Sequence, residues 1–562
     1  MLEKFADDLR LYTPRIARQP WWRLAVEAVV LAGLFFVLHL AYYSQPTFLD
    51  EFDNMIGGNV VAHGGAIYVD YLSQHTPIAY WLSGLGHLFG AEFFGGQRLF
   101  GFLLFSVLLA TLYARNARQF GRIPLIVVGV LVSTMHFYNP ELSYTVLSDN
   151  YQALMGLFLL FEVVGLAIRR DGSLQRWIVI GLVSAFSFGV AFVSIYFIAG
   201  AVLTAATLSV IDARRTVRGF AAWAGFVGAR AGVFLAPFVV LIGAVWATGA
   251  LAGAYEQAYV LNRTAYAEYL GGFGSSVVEP LYYGFTEIWS HLTEIPQTFE
   301  MYPVAAIREI IALAVLAVAT VIFVRLRPVL GIGVLWMASL VATRGWNGFH
   351  AQPLWAFMIG LLGILVFLTI AALRSENAGR VGPRVGAALL SAVIVIANVP
   401  YVVEVYDSRS TLTTPVLFPN PNRSEVIRTL VPEGGSYGEL GINNAYDFVV
   451  TGRLPAGGFS GVVPWFSDMM DDEMASKLSA DDPILIFSDE SNDVWGFNVI
   501  ENAPALAEVI DEGYTRIDLS EIGVREGVYI RTDALESSLR DLRVVFPGTK
   551  IGVYEAAEDS AG

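Results

Sequence analysis

Residues 177–211 read WIVIGLVSAFSFGVAFVSIYFIAGAVLTAATLSVI, thirty-five positions without one charged side chain. A helix of about 20 apolar residues crosses the hydrocarbon core of a bilayer. The run is too long for one span and short for two, so it reads as a tight hairpin turning near Gly189. The whole chain agrees with this reading. Of its 562 residues, 55% are hydrophobic and 15% charged, with a mean hydropathy of +0.56. A soluble domain carries about 25% charged residues. A chain soluble throughout is excluded, and so is a disordered one, because there is too much apolar surface to bury. There is no cysteine, which excludes a disulfide scaffold, thiolate catalysis, iron–sulfur clusters and thiolate-bound zinc.

Outward from that hairpin, apolar segments fall at 24–43, 98–114, 124–138, 150–168, 177–191, 193–211, 231–250, 306–324, 329–343, 350–373 and 385–403. The expected fold is therefore a multi-pass α-helical membrane protein of about eleven transmembrane helices. Basic residues set its orientation, since Lys and Arg gather in cytoplasmic loops. Residues 1–403 hold 24 Lys and Arg, and 20 of them lie in six clusters, from the N-terminal Lys4–Arg23 group to Arg374/Arg380/Arg384. With eleven spans every cluster falls on the N-terminal side of the membrane. Reading 177–211 as one span breaks that agreement. The N-terminus is then cytoplasmic, and the other side receives loops 44–97, 139–149 and 251–305 and everything from about residue 404.

That last part differs in character. Residues 1–403 carry a net charge of +2, and residues 404–562 carry −17. So acidic a region argues against nucleic acid as a partner. Pro419–Asn422, Pro432–Gly435 and Pro455–Gly458 punctuate it as turns, and apolar runs at 483–487, 527–530 and 550–554 read as strands. Residues 468–479 and 503–511 read as helices. This predicts an extracytoplasmic α/β domain at 404–562 beside a membrane module at 1–403. Its carboxylates show no metal or nucleophile spacing, so its role reads as structural or as docking of an acceptor.

The first outward loop opens Gln45-Pro-Thr-Phe-Leu-Asp50-Glu51-Phe-Asp53-Asn54. Three carboxylates stand at a membrane boundary, where ionisable groups are costly unless a metal, a substrate or a basic residue meets them. A solvated acidic loop is the plainer alternative. The loop continues through Gly65-Ala-Ile-Tyr68-Val-Asp70 and His75-Thr-Pro77-Ile-Ala-Tyr80-Trp81. It ends in a Gly- and aromatic-rich stretch, 78–96, expected to lie in the membrane interface.

An Asp-Glu pair after the first span, then Gly-x-x-Tyr-x-Asp, then His-x-Pro-x-x-Tyr-Trp, and Arg98 opening the second span resemble the membrane-embedded glycosyltransferases of the GT-C class. Within that class they resemble the protein-mannosyltransferase and aminoarabinose-transferase-like group (glycosyltransferase family 39). The motifs cover residues 45–170, and the rest agrees by layout only. The chain has Gln74-His75-Thr76-Pro77 where the aminoarabinose transferases carry Glu-Lys-Pro-Pro. The resemblance implies inverting transfer of a sugar from a polyprenyl-phosphate donor to a glycan, lipid or protein acceptor outside the plasma membrane. Asp50 and Glu51 are the implied catalytic carboxylates, and Tyr68, Asp70, His75, Asp53 and Arg98 are implied to line the cavity. Asp149 opens the span at 150–168, where members of the group carry an Asp. It is a favoured helix N-cap in any case, but Asp50 and Asp149 together can share a divalent cation, Mg²⁺ or Mn²⁺, through oxygen ligands.

The turn Thr343-Arg344-Gly-Trp346-Asn347-Gly-Phe-His350 supplies the opposite charge. Arg344 and His350 are the expected ligands of the donor phosphate; snorkelling of Arg344 to lipid headgroups is the alternative. The long loop 251–305, dense in Tyr and Gly, reads as a lid over the cavity or as an interfacial belt. No Gly-rich nucleotide fingerprint follows a predicted strand, so no nucleotide cofactor is expected. The rival reading is a transporter or flippase for a lipid-linked or anionic substrate, which predicts charged residues at mid-span. Only Glu27, Glu162 and His39 approach that description.

Overall fold

The computed structural model describes residues 20–40, 43, 49–90, 94–134, 148–170, 172–214, 216–269, 276, 278–301, 303–342, 352–374, 420–441, 445–488 and 498–554. The chain forms two compact units. One comprises Met1–Gln45, Leu99–Ala244 and Ser276–Thr414; the other comprises Pro46–Arg98, Val245–Ser275 and Pro415–Gly562. Residues 46–98 and 245–275 thus pack with the C-terminal region.

The first unit is helical. Its helices are α1 (Trp21–His39), the long α4 (Phe94–Phe120), α5 (Arg122–Thr134), α6 (Ser148–Arg169), α7 (Leu174–Val190), α8 (Ser194–Ala213), α9 (Phe220–Ala247), α10 (Pro280–Met301), α11 (Pro303–Leu326), α12 (Pro328–Ala342) and α13 (Gln352–Arg374). Two further helices, α2 (Leu49–Ala62) and α3 (Ile78–Leu88), belong to the second unit. Among the described residues seven helices are long and apolar enough to cross a membrane: α1, α4, α6, α8, α9, α11 and α13. By length and composition the chain is a multi-pass membrane protein. Three more, α5, α7 and α12, are apolar but shorter. Ten of the eleven expected apolar segments are therefore helical over most of their described residues, and the eleventh, 385–403, lies outside the described residues. The hairpin in 177–211 is present, with the break between Val190 and Ser194.

Helix α6 is the axis of this unit. Nearly all its side chains are buried, and it packs against α7, α8 and α13. The charges near span interiors are paired, as burial in an apolar medium requires. Glu162 of α6 accepts from Arg115 (2.7 Å) and Arg176 (3.0 Å). Glu27 pairs with Arg122 and takes the Tyr113 hydroxyl at 2.6 Å. His39 meets Ser106 Oγ at 3.1 Å.

The region 251–305 is not an open loop where it is described. Leu251–Tyr255, a π-helical turn Glu256–Val260, Leu261–Arg263 and Ala265–Tyr269 form a broken helical run, and 280–301 is the continuous α10. Pro296 and the frequent tyrosines suggest a loop, but the apolar residues of 280–301 keep a helical period.

The C-terminal part of the second unit is an α/β domain. It runs α14 (Pro421–Leu430), β1 (Ser436–Glu439), α15 (Tyr446–Thr451), β2 (Leu454–Pro455), α16 (Pro464–Asp481), β3 (Leu485–Ser488), α17 (Val499–Asn502), α18 (Pro504–Gly513), β4 (Tyr514–Asp518), β5 (Gly527–Arg531), α19 (Leu535–Val545) and β6 (Gly552–Val553). The sheet order is β2-β1-β3-β5-β4-β6, parallel on the β2-β1-β3 side and antiparallel beyond. The central β3 is buried along its whole length, so it reads as a continuous apolar run in the sequence. Of the Pro419–Asn422 segment, expected as a turn, residues 420–422 start α14: Pro421 takes the first helical position and the Asn420 side chain accepts from the Asn422 and Arg423 amides. One core joins Leu72, Leu261 and Ala265 to Phe459, Met474, Leu478, Ile486 and Leu506.

Candidate functional site

Helix α2 carries the carboxylates that follow the first span. It packs against α3 because Gly57, Gly58 and Gly84 leave room. A Cβ on Gly57 would stand 2.3 Å from the Tyr80 ring, and one on Gly58 would stand 2.4 Å from Ser83 Oγ. That close approach delivers the Tyr80 hydroxyl to α2.

Asp53 receives it. Tyr80 donates to Asp53 Oδ2 at 2.5 Å, Tyr71 donates to Oδ1 at 2.6 Å, and His75 Nδ1 lies 3.2 Å from Oδ2. The directions of the outer bonds follow. Tyr71 spends its proton on Asp53, so Ser460 Oγ, 2.9 Å away, donates to the Tyr71 oxygen. Tyr80 does likewise, so Ser73 Oγ donates to it at 2.5 Å and in turn accepts the His75 amide at 2.9 Å. A chain of oriented hydroxyls ends on one carboxylate. Burial pushes Asp53 up, but the bonds from His75, Tyr71 and Tyr80 outweigh it and hold the carboxyl below its usual range. The hydroxyls of Tyr71 and Tyr80 are raised well above theirs, first by burial and then by the Asp53 charge, so they stay protonated as donors. The side chains of Asp53 and His75 nonetheless remain 26% and 35% exposed.

The segment bearing His75 is clamped from several sides. Tyr68, at φ +74°, is a buried non-glycine residue in the left-handed region, and it donates its hydroxyl to the His75 carbonyl at 2.6 Å. Gln257 accepts the Ser73 amide at 3.0 Å and donates to the Tyr68 carbonyl at 3.1 Å. Asn262 donates to the Gln74 carbonyl at 2.7 Å. The C-terminal domain closes the other side. The Leu72 amide donates to the Gly458 carbonyl at 2.7 Å, and Lys477 donates to the Val69 carbonyl at 2.9 Å. Gly458 has φ +73°, and a Cβ there would lie 2.5 Å from the Asp70 carbonyl oxygen, so only glycine fits.

The other expected residues are distributed as follows. Glu51 is fully buried, with both carboxylate oxygens taken by Arg98 (Nε to Oε1 2.9 Å, Nη2 to Oε2 2.7 Å), so both residues are bound in a sealed ion pair. Asp70 is exposed and caps its own turn, accepting the Ala66 amide at 2.7 Å. Asp50 lies in the first turn of α2, with its side chain outside the described residues. Asp149 is buried in the first turn of α6, in the other unit, where a carboxylate suits the helix N-terminus. Arg344 and His350 lie outside the described residues. Among the described residues no group of three or more His, Asp or Glu is placed to hold a metal. The donors around Asp53 are one imidazole and two phenols, short of the oxygen shell that Mg²⁺ or Mn²⁺ takes.

No family model matches this chain, and no curated protein matches it.

The sequence marks Asp53 and His75 as candidates but not the groups that orient them. Tyr80 stands inside the motif that begins at His75, and Tyr71 directly follows the motif that ends at Asp70. Ser460 and Gln257 carried no local signal.

A second polar cluster lies inside the C-terminal domain. Arg423 of α14 donates to Glu439, Asp447 and Glu526 and stacks on Phe487 at 3.8 Å. Burial outweighs the Arg423 charge and pushes Glu439 up to about 8. Arg423, Glu439 and Asp447 are all buried. The cluster joins α14, α15, β1 and the segment before β5, and its role is structural.

Proposed function

We propose that this chain is a membrane-embedded glycosyltransferase that moves a sugar from a polyprenyl-phosphate donor to an acceptor outside the plasma membrane, with inversion at the anomeric carbon. The observation that carries the reading is the Asp53 centre. It is an ionised carboxylate, oriented by two phenols and an imidazole and still open, on the segment that follows the first apolar span. Apolar helices suit a polyprenyl tail, and a sugar is met by carboxylates, hydroxyls and aromatic faces.

In this reading the acceptor hydroxyl gives its proton to Asp50 as its oxygen forms the new bond to the anomeric carbon. The bond from that carbon to the phosphate oxygen breaks, and the electron pair leaves with the phosphate. Arg344 and His350 are the proposed partners of that phosphate. The N-terminus is cytoplasmic and the α/β domain extracytoplasmic, on the strength of the 20 clustered basic residues among the 24 before position 404.

Reconstituted full-length protein should release sugar from a polyprenyl-phosphate sugar, and Asp50→Asn should lower turnover by about 100-fold or more, the scale of losing a general base. Near-normal turnover in the Asn variant removes Asp50 from the chemistry. Absence of turnover across lipid-phosphate hexoses and pentoses overturns the reading. Protease added to sealed, right-side-out cells should remove the region beyond about residue 404; protection of that region reverses the orientation.

A further inference from the structure

Asp53 differs from the fully buried carboxylates of its unit. Glu51, two residues earlier on α2, is sealed from solvent and neutralised by Arg98. Glu439 and Asp447 are sealed and share Arg423. Among the described residues Asp53 has no Arg or Lys partner, and its only ionisable neighbour of opposite sign is His75. Three donors nevertheless fix it, two of them tyrosines 1% and 0% exposed. A carboxylate needed only for packing gains from being closed off, and a carboxylate needed only for solubility requires no three donors.

The hydrogen-bond inventory shows what is left. An ionised carboxylate has about four acceptor positions. Tyr80 and His75 occupy both on Oδ2, and Tyr71 occupies one on Oδ1. One position on Oδ1 remains, and a quarter of the side chain is open to the outside. Because the three donors fix the carboxylate plane, the direction of that position is fixed as well. The framework is specialised for this outcome: Gly57 lets the Tyr80 ring approach, Tyr68 holds a left-handed backbone, and Ser460 orients Tyr71. Such preorganisation is what a recognition group needs and a structural one does not.

We infer that Asp53 is a sugar-recognition residue, which accepts a hydrogen bond from one hydroxyl of a carbohydrate through the remaining position on Oδ1, with His75, Tyr71 and Tyr80 as its positioning residues. The inference rests on the glycosyltransferase reading and deepens it. Asp53 selects and Asp50 reacts. The hydroxyl belongs to the sugar of the donor or to a carbohydrate acceptor, and the chemistry at Asp53 is the same for both.

The test uses full-length protein in lipid nanodiscs, titrated with a polyprenyl-phosphate hexose and with bare polyprenyl phosphate. Wild type should favour the sugar-bearing lipid. Asp53→Asn should reduce that preference roughly tenfold, the loss of one charge-assisted hydrogen bond, and should leave the affinity for the bare lipid unchanged, which also shows that the variant is folded. If the preference survives but the KM for the acceptor rises about tenfold with kcat little changed, the hydroxyl is the acceptor's. If neither changes, Asp53 recognises no sugar and the inference is overturned while the transferase reading stands. If wild type neither binds nor turns over the sugar-bearing lipid, the reading itself falls and takes the inference with it. Should Asp53→Asn fail to bind the bare lipid, Tyr71→Phe replaces it, since this change keeps the charge and loosens its aim. It should lower the same preference several-fold, and an unchanged preference overturns the assignment.

Discussion

Glu51 and Asp53 stand two residues apart on α2, which turns them about 200° from one another around the helix axis. One side faces Arg98 and is sealed; the other faces Tyr71, Tyr80 and His75 and stays open. Spacing in the sequence shows a cluster of three carboxylates but not which face of the helix is buried, so Glu51 reads there as a catalytic partner of Asp50. Its geometry makes it half of a fully desolvated pair. Removing one member of such a pair leaves an uncompensated buried charge, so Arg98→Ala should lower stability by about 3–5 kcal/mol. Thermal unfolding in detergent measures this. Glu51→Gln in the Arg98→Ala background should recover part of the loss, because it removes the stranded charge; no recovery means that the pair is not the source of the effect.

At the scale of elements, α2 and α3 meet across glycines, and that contact sets the position of a side chain in the site. Gly57→Ala places a methyl group 2.3 Å from Tyr80. Overpacking of this kind costs about 1–3 kcal/mol, and here it also pushes the Tyr80 hydroxyl off Asp53. A modest fall in melting temperature with a larger fall in transfer activity is the expected result, and unchanged activity would detach Tyr80 from the site. The helices themselves are legible in the sequence because apolar length alone marks them. The break near Gly189 is legible for the same reason: thirty-five uncharged residues do not fit one bilayer crossing. The strands are less so. β3 and β5 are apolar runs and stand out, whereas β1 (Ser436–Glu439) is polar and glycine-flanked, and β4 carries Arg516 and Asp518. Their pairing is a property of the sheet and leaves no periodic mark.

At the scale of the molecule, the carboxylates buried in the C-terminal domain have a pH consequence. Buried Glu439 titrates near 8 in the folded state, above the 4.5 of an ordinary glutamate. A raised value means that its contribution to stability is fully present below about pH 4.5 and is lost as pH rises through about 8. Asp53 has the opposite sign: its depressed value gives stability above the ordinary aspartate range that is lost only in acid. The C-terminal domain should therefore loosen between about pH 5 and pH 8.5. Hydrogen exchange of β1 and β3 in the intact protein reads this directly. Glu439→Gln should flatten the dependence, and an unaltered slope in that variant would assign it to the surface charge of the region instead. Arg423→Ala should destabilise the same domain by about 3–5 kcal/mol, since it leaves the buried Asp447 without its cation.

The bond between Tyr71 and Ser460 joins residues 389 positions apart. A ribosome adding about 5–20 residues per second needs roughly 20–80 s to reach the second partner after making the first. Throughout that interval Asp53 exists without its full set of aligned donors. The newborn polypeptide thus holds Tyr71 and Asp53 long before Ser460 exists to orient them, and a product released short of residue 460 would keep the carboxylate while lacking the hydroxyl that fixes one of its donors.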